Sequence, residues 1–378
     1  MKVKAGLLSF LFLVTKCFAA SVSPVLSPLP NEAVFWIDTD VGFDVDDLIA
    51  MVAVTKHAGS RIVGVSTTLY RPDRKAALTK LVLGELGFPN VPVFAGLGVY
   101  QDSESKFYSI YPTWPKQFGA PYSKQGLAFE NVYGKSALST SKDFVQGEAI
   151  DALISAVHQH SGKLVVMALG PLTNIAAALK RDPSIAKEIC RLDVMGGWFL
   201  KDGKPDRLGY NTLLDIKASA EVFGNSKLQT VIINSQAIKD ANMRIKRDQE
   251  YSQLTKSQEK SKLGSALFQD MGNWLDHSKN TMGDIVLADP ITAMVAVFPN
   301  LVATARTINV TFLNASEGNQ QNSVMNGGLQ VKDEKKSPHL YLVETFRSPE
   351  LVREDVIRSL QKLAKPKASV PNVDLGSL

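Results

Sequence analysis

Short apolar runs closed by polar residues alternate along the chain with stretches whose apolar positions recur every three or four residues. The first kind predicts strands at 33–38, 61–67, 91–95, 163–169, 191–195 and 228–234. The second predicts helices at 46–57, where Leu48, Ile49, Val52 and Ala53 share a face, and at 73–87, 147–160, 171–180 and 215–223. A last helix is expected at 348–363. Strands separated by helices are the pattern of βαβ units. The expected class is therefore α/β, an open and mainly parallel (mixed) sheet flanked by helices.

Three stretches stand outside this rhythm. Residues 99–145 are long and polar, yet hold Tyr100, Phe107, Tyr108, Tyr111, Trp114 and Phe118; they read as a lid, a binding loop or a disordered stretch. Residues 315–337 are rich in polar side chains and read as an exposed connection. At the start, Lys2 and Lys4 precede an apolar run over 7–14 and then Cys17-Phe18-Ala19-Ala20, the pattern of a secretory signal peptide over 1–20. The run is too short to span a bilayer as a helix. A lipoprotein signal acylated at Cys17 is the alternative, which Lys16 fits poorly. The expected organisation is a leader at 1–20, a linker at 21–32, one domain at 33–364 and a tail at 365–378. Export would place the protein in the periplasm or outside the cell, with no membrane attachment after cleavage.

Composition narrows the partners. The 378 residues are 45% hydrophobic and 21% charged, an ordinary globular balance that can bury a sizeable core. The net charge is +5, but Lys2, Lys4 and Lys16 supply three of those charges from the leader. Nothing clusters Lys and Arg in the way a nucleic-acid partner requires, so none is expected. Past the leader only Cys190 remains, which can form neither an internal disulfide nor a zinc site.

The strongest chemical signal is Asp38-Thr39-Asp40-Val41-Gly42-Phe43-Asp44-Val45-Asp46-Asp47, set where the first strand ends and a helix begins. In open α/β sheets ligands bind beyond the carboxyl ends of the strands. Carboxylates crowded there repel one another and persist when a cation neutralises them, and all-oxygen ligands favour Ca2+ or Mg2+. A helix start that welcomes acids would account for Asp46 or Asp47, but not for Asp38 and Asp40 as well.

This segment resembles the amino-terminal signature of the inosine-uridine-preferring nucleoside hydrolase family, in the form with two extra residues before the paired aspartates. Three further landmarks follow in family order: Ala168-Leu169-Gly170-Pro171-Leu172-Thr173-Asn174-Ile175-Ala176, then Met195-Gly196-Gly197 with Gly209-Tyr210-Asn211 and Asp215, then Ala288-Asp289-Pro290-Ile291-Thr292-Ala293. The resemblance spans about residues 33 to 364 and implies calcium-dependent cleavage of a ribonucleoside into ribose and free base. It makes Asp40 a calcium ligand that also takes a proton from the attacking water. It makes Asp47, Asp289 and the carbonyl of Leu169 further calcium ligands, gives Asp46 and Asn211 to the ribose hydroxyls, and suggests a homodimer or homotetramer. Asp44 is a spare carboxylate of the longer loop, and the resemblance leaves open whether it displaces Asp46.

The sequence departs from the family at three places. Ala288 stands where the best-known members have a histidine that protonates the leaving base, Gly209 replaces an acid, and Arg71-Pro72 replaces a Gly-Asn pair. Base stacking on Trp198 or on the aromatics of 99–145 could serve instead of the histidine, while Trp198 is equally readable as a core residue. Two alternatives to the hydrolase remain in view. An aspartate-nucleophile phosphatase also places Asp-x-Asp after its first strand, but Gly42 and the Asp46-Asp47 pair fit it poorly. An exported nucleoside- or ribose-binding protein that has lost hydrolysis is the other.

Overall fold

Val34–Thr39 (β1) is buried along nearly its whole length, as a strand in the middle of a sheet covered on both faces must be. Trp36 points to one face, among Val166, Ile175 and Val194, while Phe35 and Ile37 point to the other, among Ala50, Val54 and Ala293. The computed structural model describes residues 25–42, 44–98, 125–201, 204–277, 283–312, 329–333, 339–365 and 373–376. The leader expected at 1–20, residues 21–24 of the expected linker and the aromatics of 99–124 lie outside them. Among the described residues no helix is long and apolar enough to cross a membrane.

Around β1 stand Ile62–Thr67 (β2), Val93–Ala95 (β3), Leu164–Ala168 (β4), Arg191–Gly196 (β5) and Thr230–Asn234 (β8), all parallel. A hairpin of Trp198–Lys201 (β6) and Lys204–Leu208 (β7) lies between β5 and β8 in sequence. A second small sheet pairs Arg244–Lys246 (β9) with Asp284–Val286 (β10). Val302–Phe312 (β11), Leu329–Asp333 (β12) and Leu340–Phe346 (β13) complete the main sheet, in the order β12-β11-β13-β8-β5-β4-β1-β2-β3. β13 runs parallel to β8, and β11 antiparallel to both β13 and β12. The expected mainly parallel, mixed α/β sheet is what forms.

From β1 the chain builds outward in one direction through β2 and β3, and then returns to the other side of β1 for β4, β5 and β8. The order therefore reverses between β1 and β4. Such a switch point leaves an open crevice beyond the carboxyl ends of the two strands, because their connections depart in opposite directions. Both of the first two landmarks end there.

The predicted helices appear as Asp46–Ala58 (α1), Pro72–Glu85 (α2), Glu148–Gln159 (α4), Thr173–Arg181 (α5), Ile216–Phe223 (α7) and Pro349–Ala364 (α10). Asp215 caps α7, accepting from the Ala218 N–H at 3.0 Å. Two long stretches need correction. Residues 125–143, expected in a loop, form the helix Gln125–Tyr133 (α3) and a 3-10 segment Lys135–Asp143. Ala128, Phe129 and Leu138 are buried against the core there, and Phe129 stacks on Tyr133 one turn on, with centroids 6.2 Å apart. Part of 315–337, expected as a plain connection, contributes the strand β12. Elements not foreseen are Tyr210–Leu214 (α6), Lys262–His277 (α8), Ala288–Val297 (α9) and strands β6, β7 and β9–β13.

Polar side chains inside this core fix helices to one another and to the sheet. Asp355 of α10 is fully buried and accepts from Lys56 Nζ at 2.5 Å and pairs with His57 Nε2 at 2.8 Å, joining α10 to the last turn of α1. In β5 Arg191 pairs with Asp193 at 2.8 Å, both buried. Its Nη2 also donates to the carbonyls of Val295 and Ala296, at 3.2 and 3.3 Å, and so holds the last turn of α9.

Candidate active site

β1 delivers Asp38, Thr39 and Asp40 to the crevice, and α1 opens with Asp46 and Asp47 directly above it. The chain turns after Asp40, and Gly42 takes up a φ of 87° that side chains disfavour. Across the crevice, β4 ends at Ala168, paired with Asp38, and Leu169-Gly170 follow. A Cβ on Gly170 would stand 3.0 Å from the Asp40 Cβ, N and Oδ1, so only glycine lets the two loops approach this closely. Asp289 comes from the first turn of α9, whose helix packs along α1.

Asp46, Asp47 and Asp289 are all buried, and one carboxylate oxygen of each lies within 4.8 Å of the others. The Asp289 N–H also donates to Asp46 Oδ2 at 3.2 Å. Thr39 Oγ1 donates to Asp47 Oδ1, which aims that carboxylate. Burial is the main cause that raises the carboxyls of Asp40, Asp44, Asp46, Asp47 and Asp289, and repulsion between acids adds to it at the last four. Asp46 is pushed up to about 7. Buried, hard oxygen ligands that repel one another are what a divalent cation such as Ca2+ or Mg2+ neutralises. The cluster can hold a metal ion.

The acids and Asn211 anticipated from sequence stand at or beside this crevice. Asp40 is buried and acts electrostatically on Asp46, Asp47 and Asp289, but is not one of the three oxygens in mutual ligand range. Asp46, assigned by resemblance to the ribose, stands in that group. Half-buried Asp44 accepts from the N–H of Val45 at 2.5 Å. Asn211 on α6 donates through Nδ2 to the carbonyls of Leu169 at 2.5 Å and Met195 at 3.2 Å, tying the ends of β4 and β5 together. With both amide hydrogens engaged, its Oδ1 is the atom left to meet a hydroxyl. The Leu169 carbonyl keeps its second lone pair.

Trp198 is corrected to a core residue. Its ring is fully buried against Val194, Leu208 and Ile232 and offers no face to a base. Gly197, at φ 83° and with the Ile232 Cγ2 only 2.9 Å from any Cβ it might carry, makes the turn that drives the ring inward. The other stacking candidates, the aromatics of 99–124, lie outside the described residues. His57 sits in the last turn of α1, about 16 Å along the helix from Asp46, and pairs with Asp355. His158 pairs with Asp182 and Glu188 on the surface.

Sequence reasoning missed the supports behind the acids. Asp38 is fully buried and raised to about 7 by that burial, while Ser66 Oγ at 2.5 Å and Asn174 Nδ2 at 2.7 Å donate to it. Asn174 Oδ1 in turn accepts from the N–H of Leu97 at 2.8 Å, so the Thr173-Asn174 landmark serves to lock β1, β2 and the end of β3 together. Lys75 of α2 is buried, and its Nζ donates to the Asp40 carbonyl oxygen at 2.7 Å. Burial pushes its ammonium down to about 8, with Asp40 and Asp47 working against that. A lysine in an amphipathic helix reads as solvent-facing, and no pattern in the sequence signals otherwise.

Asp289→Ala tests the cluster directly. It removes one of three mutually close oxygens and should weaken divalent-cation binding by at least tenfold, on the scale of ~1.4 kcal/mol per decade. Equilibrium dialysis or calorimetry measures it, and unchanged affinity would exclude Asp289 as a ligand.

Comparison with known proteins gives a consistent picture. The family described as "Inosine-uridine preferring nucleoside hydrolase" matches residues 35–352. The chain is similar to "Probable uridine nucleosidase 2" of Oryza sativa subsp. japonica, 30% identical over 46% of this chain and 48% of the relative. It is 28% identical to "Uridine nucleosidase 1" of Arabidopsis thaliana, over 70% of this chain and 74% of that one. The chain thus spans about half the length of the rice relative that it matches. In fold it resembles the plant nucleoside hydrolase PpNRh1, with TM-score 0.65 and 20% identity over 87% of this chain and 99% of that one. It also resembles the purine-preferring ribonucleoside hydrolase of Gardnerella vaginalis, with TM-score 0.60 and 20% identity over 88% and 99%.

Proposed function

The chain belongs to the inosine-uridine-preferring nucleoside hydrolase family, and from that premise we propose that it hydrolyses the N-glycosidic bond of ribonucleosides with the help of Ca2+. The observation that carries the proposal is the buried Asp46–Asp47–Asp289 group, with Asp40 beside it, at the switch-point crevice. When bound, a calcium ion supplies Lewis-acid polarisation of a water and of a ribose diol.

The protein's own groups do the rest. Asp46, Asp47 and Asp289 would hold the cation, with the Leu169 carbonyl as a fourth oxygen. Asp40 takes the proton of the attacking water at its carboxylate, a role that its burial favours by raising its basicity. Departure of the base leaves positive charge on the sugar, and the carboxylates lining the crevice stabilise that charge where it develops. Asn211 Oδ1 and Asp46 accept from ribose hydroxyls and orient the ring. The leader pattern of residues 1–20 supports export and a scavenging role outside the cytoplasm.

The test is release of reducing sugar from purine and pyrimidine nucleosides, with calcium and then with a chelator. Uridine heads the panel because the plant relatives are named as uridine nucleosidases. Calcium-dependent release is expected. Tight nucleoside binding without release would assign the protein to binding instead, and phosphate release from phosphomonoesters would revive the aspartate-nucleophile alternative.

A further inference from the structure

Lys75 is a buried cation at a place where a helix disfavours one. It lies in the first turn of α2, where the free N–H groups carry partial positive charge, and its residue is 1% exposed. Burial and the helix dipole both cost free energy for an ammonium, and a methionine of the same length would incur neither. Among the described residues it forms no direct ion pair. Its hydrogen bond runs to the carbonyl oxygen of Asp40, and its field acts on the carboxylates of Asp40 and Asp47.

This arrangement suits a group that must balance the acids without occupying the space between them. Asp46, Asp47 and Asp289 are buried and bring one carboxylate oxygen each within 4.8 Å of one another, so their charges repel. A charge that bonded their oxygens would block a metal ion, whereas one held behind the Asp40 main chain leaves those oxygens free. We propose that Lys75 is a built-in counter-cation: it steadies the Asp40 loop and offsets the repulsion while no metal is bound, and it opposes the metal once one enters. The proposal rests on the cluster being a divalent-cation site.

Its two consequences have opposite signs, which a merely structural role would not produce. Removing the charge should destabilise the metal-free protein and tighten the metal. The experiment compares wild type with Lys75→Met, which keeps the chain length, and Lys75→Gln, which loses the charge but can still donate a hydrogen bond. Calorimetric titration with calcium and melting curves with and without calcium are the readouts, so nucleoside turnover is not needed.

Both variants should melt several degrees lower than wild type when metal-free. Both should bind calcium on the order of tenfold more tightly, the scale of one unit charge acting on a divalent ion at partly screened range. A variant that folds only when calcium is added would support the proposal equally. Weaker or unchanged affinity, an unchanged metal-free melt, or a chain that stays unfolded even with calcium would each overturn the proposal and leave Lys75 a plain strut. Wild-type protein that binds no divalent cation would instead defeat the underlying reading of the cluster, before any variant is compared.

Discussion

Asp40→Asn should lower kcat/KM for the best nucleoside by about a thousandfold, the middle of the range for losing a general base, ~10²–10⁴. The carboxylate is buried and repels its neighbours Asp46 and Asp47, while the bond from Lys75 goes to its main-chain oxygen. An amide of the same shape keeps that backbone bond and removes one of the crowded negative charges. The metal-free variant should therefore melt at the wild-type temperature or above it. Asp46, Asp47 and Asp289 remain to hold the cation, so binding should weaken less than turnover. Steady-state kinetics beside a melting curve decides the matter. Near-normal turnover would exclude Asp40 as the base, and loss of folding would mean that its charge is structural.

Arg191→Met should give the largest loss of stability, about 3–5 kcal/mol, because it breaks a buried ion pair from one side. Asp193 is fully buried and would be left as an uncompensated charge, and the Val295 and Ala296 carbonyls at the end of α9 would lose their donor. Urea unfolding measures the change. The double variant Arg191→Met, Asp193→Leu should recover most of it, since replacing both partners by apolar groups removes the orphaned charge. A single-variant loss below about 1 kcal/mol would show that the pair is not what holds β5 to α9. α9 carries Asp289 in its opposite, first turn, so the folded single variant should also bind calcium more weakly than wild type.

Much of the site was legible in the sequence because local order produces it. The acids of 38–47 follow one another along a strand, a turn and a helix start, so their convergence at the carboxyl end of β1 needs no distant contact. The alternation of apolar runs and helical spacing likewise fixed the α/β class, since period two and period 3.6 are properties of the chain itself. The same logic failed where burial depends on a distant partner. Residues 125–143 look polar along the chain, yet Phe129 and Leu138 find a core that α8 and α2 supply. β12 is an edge strand, and β11 and β13 mix exposed polar positions with buried ones, so none of the three stands out before its neighbours are known.

The sequence by itself determined the class of fold, the family and the cluster of acids destined for one end of the sheet. Only the tertiary structure decided which carboxylates share a site. Asp289 lies more than two hundred residues from Asp46, and the packing of α9 on α1 brings their oxygens together. Tertiary structure also decided that Trp198 faces the core and that Lys75 turns inward. A side chain's environment is set by whichever surface packs over it, and in a sheet built in the order 3-2-1-4-5 that surface comes from remote parts of the chain.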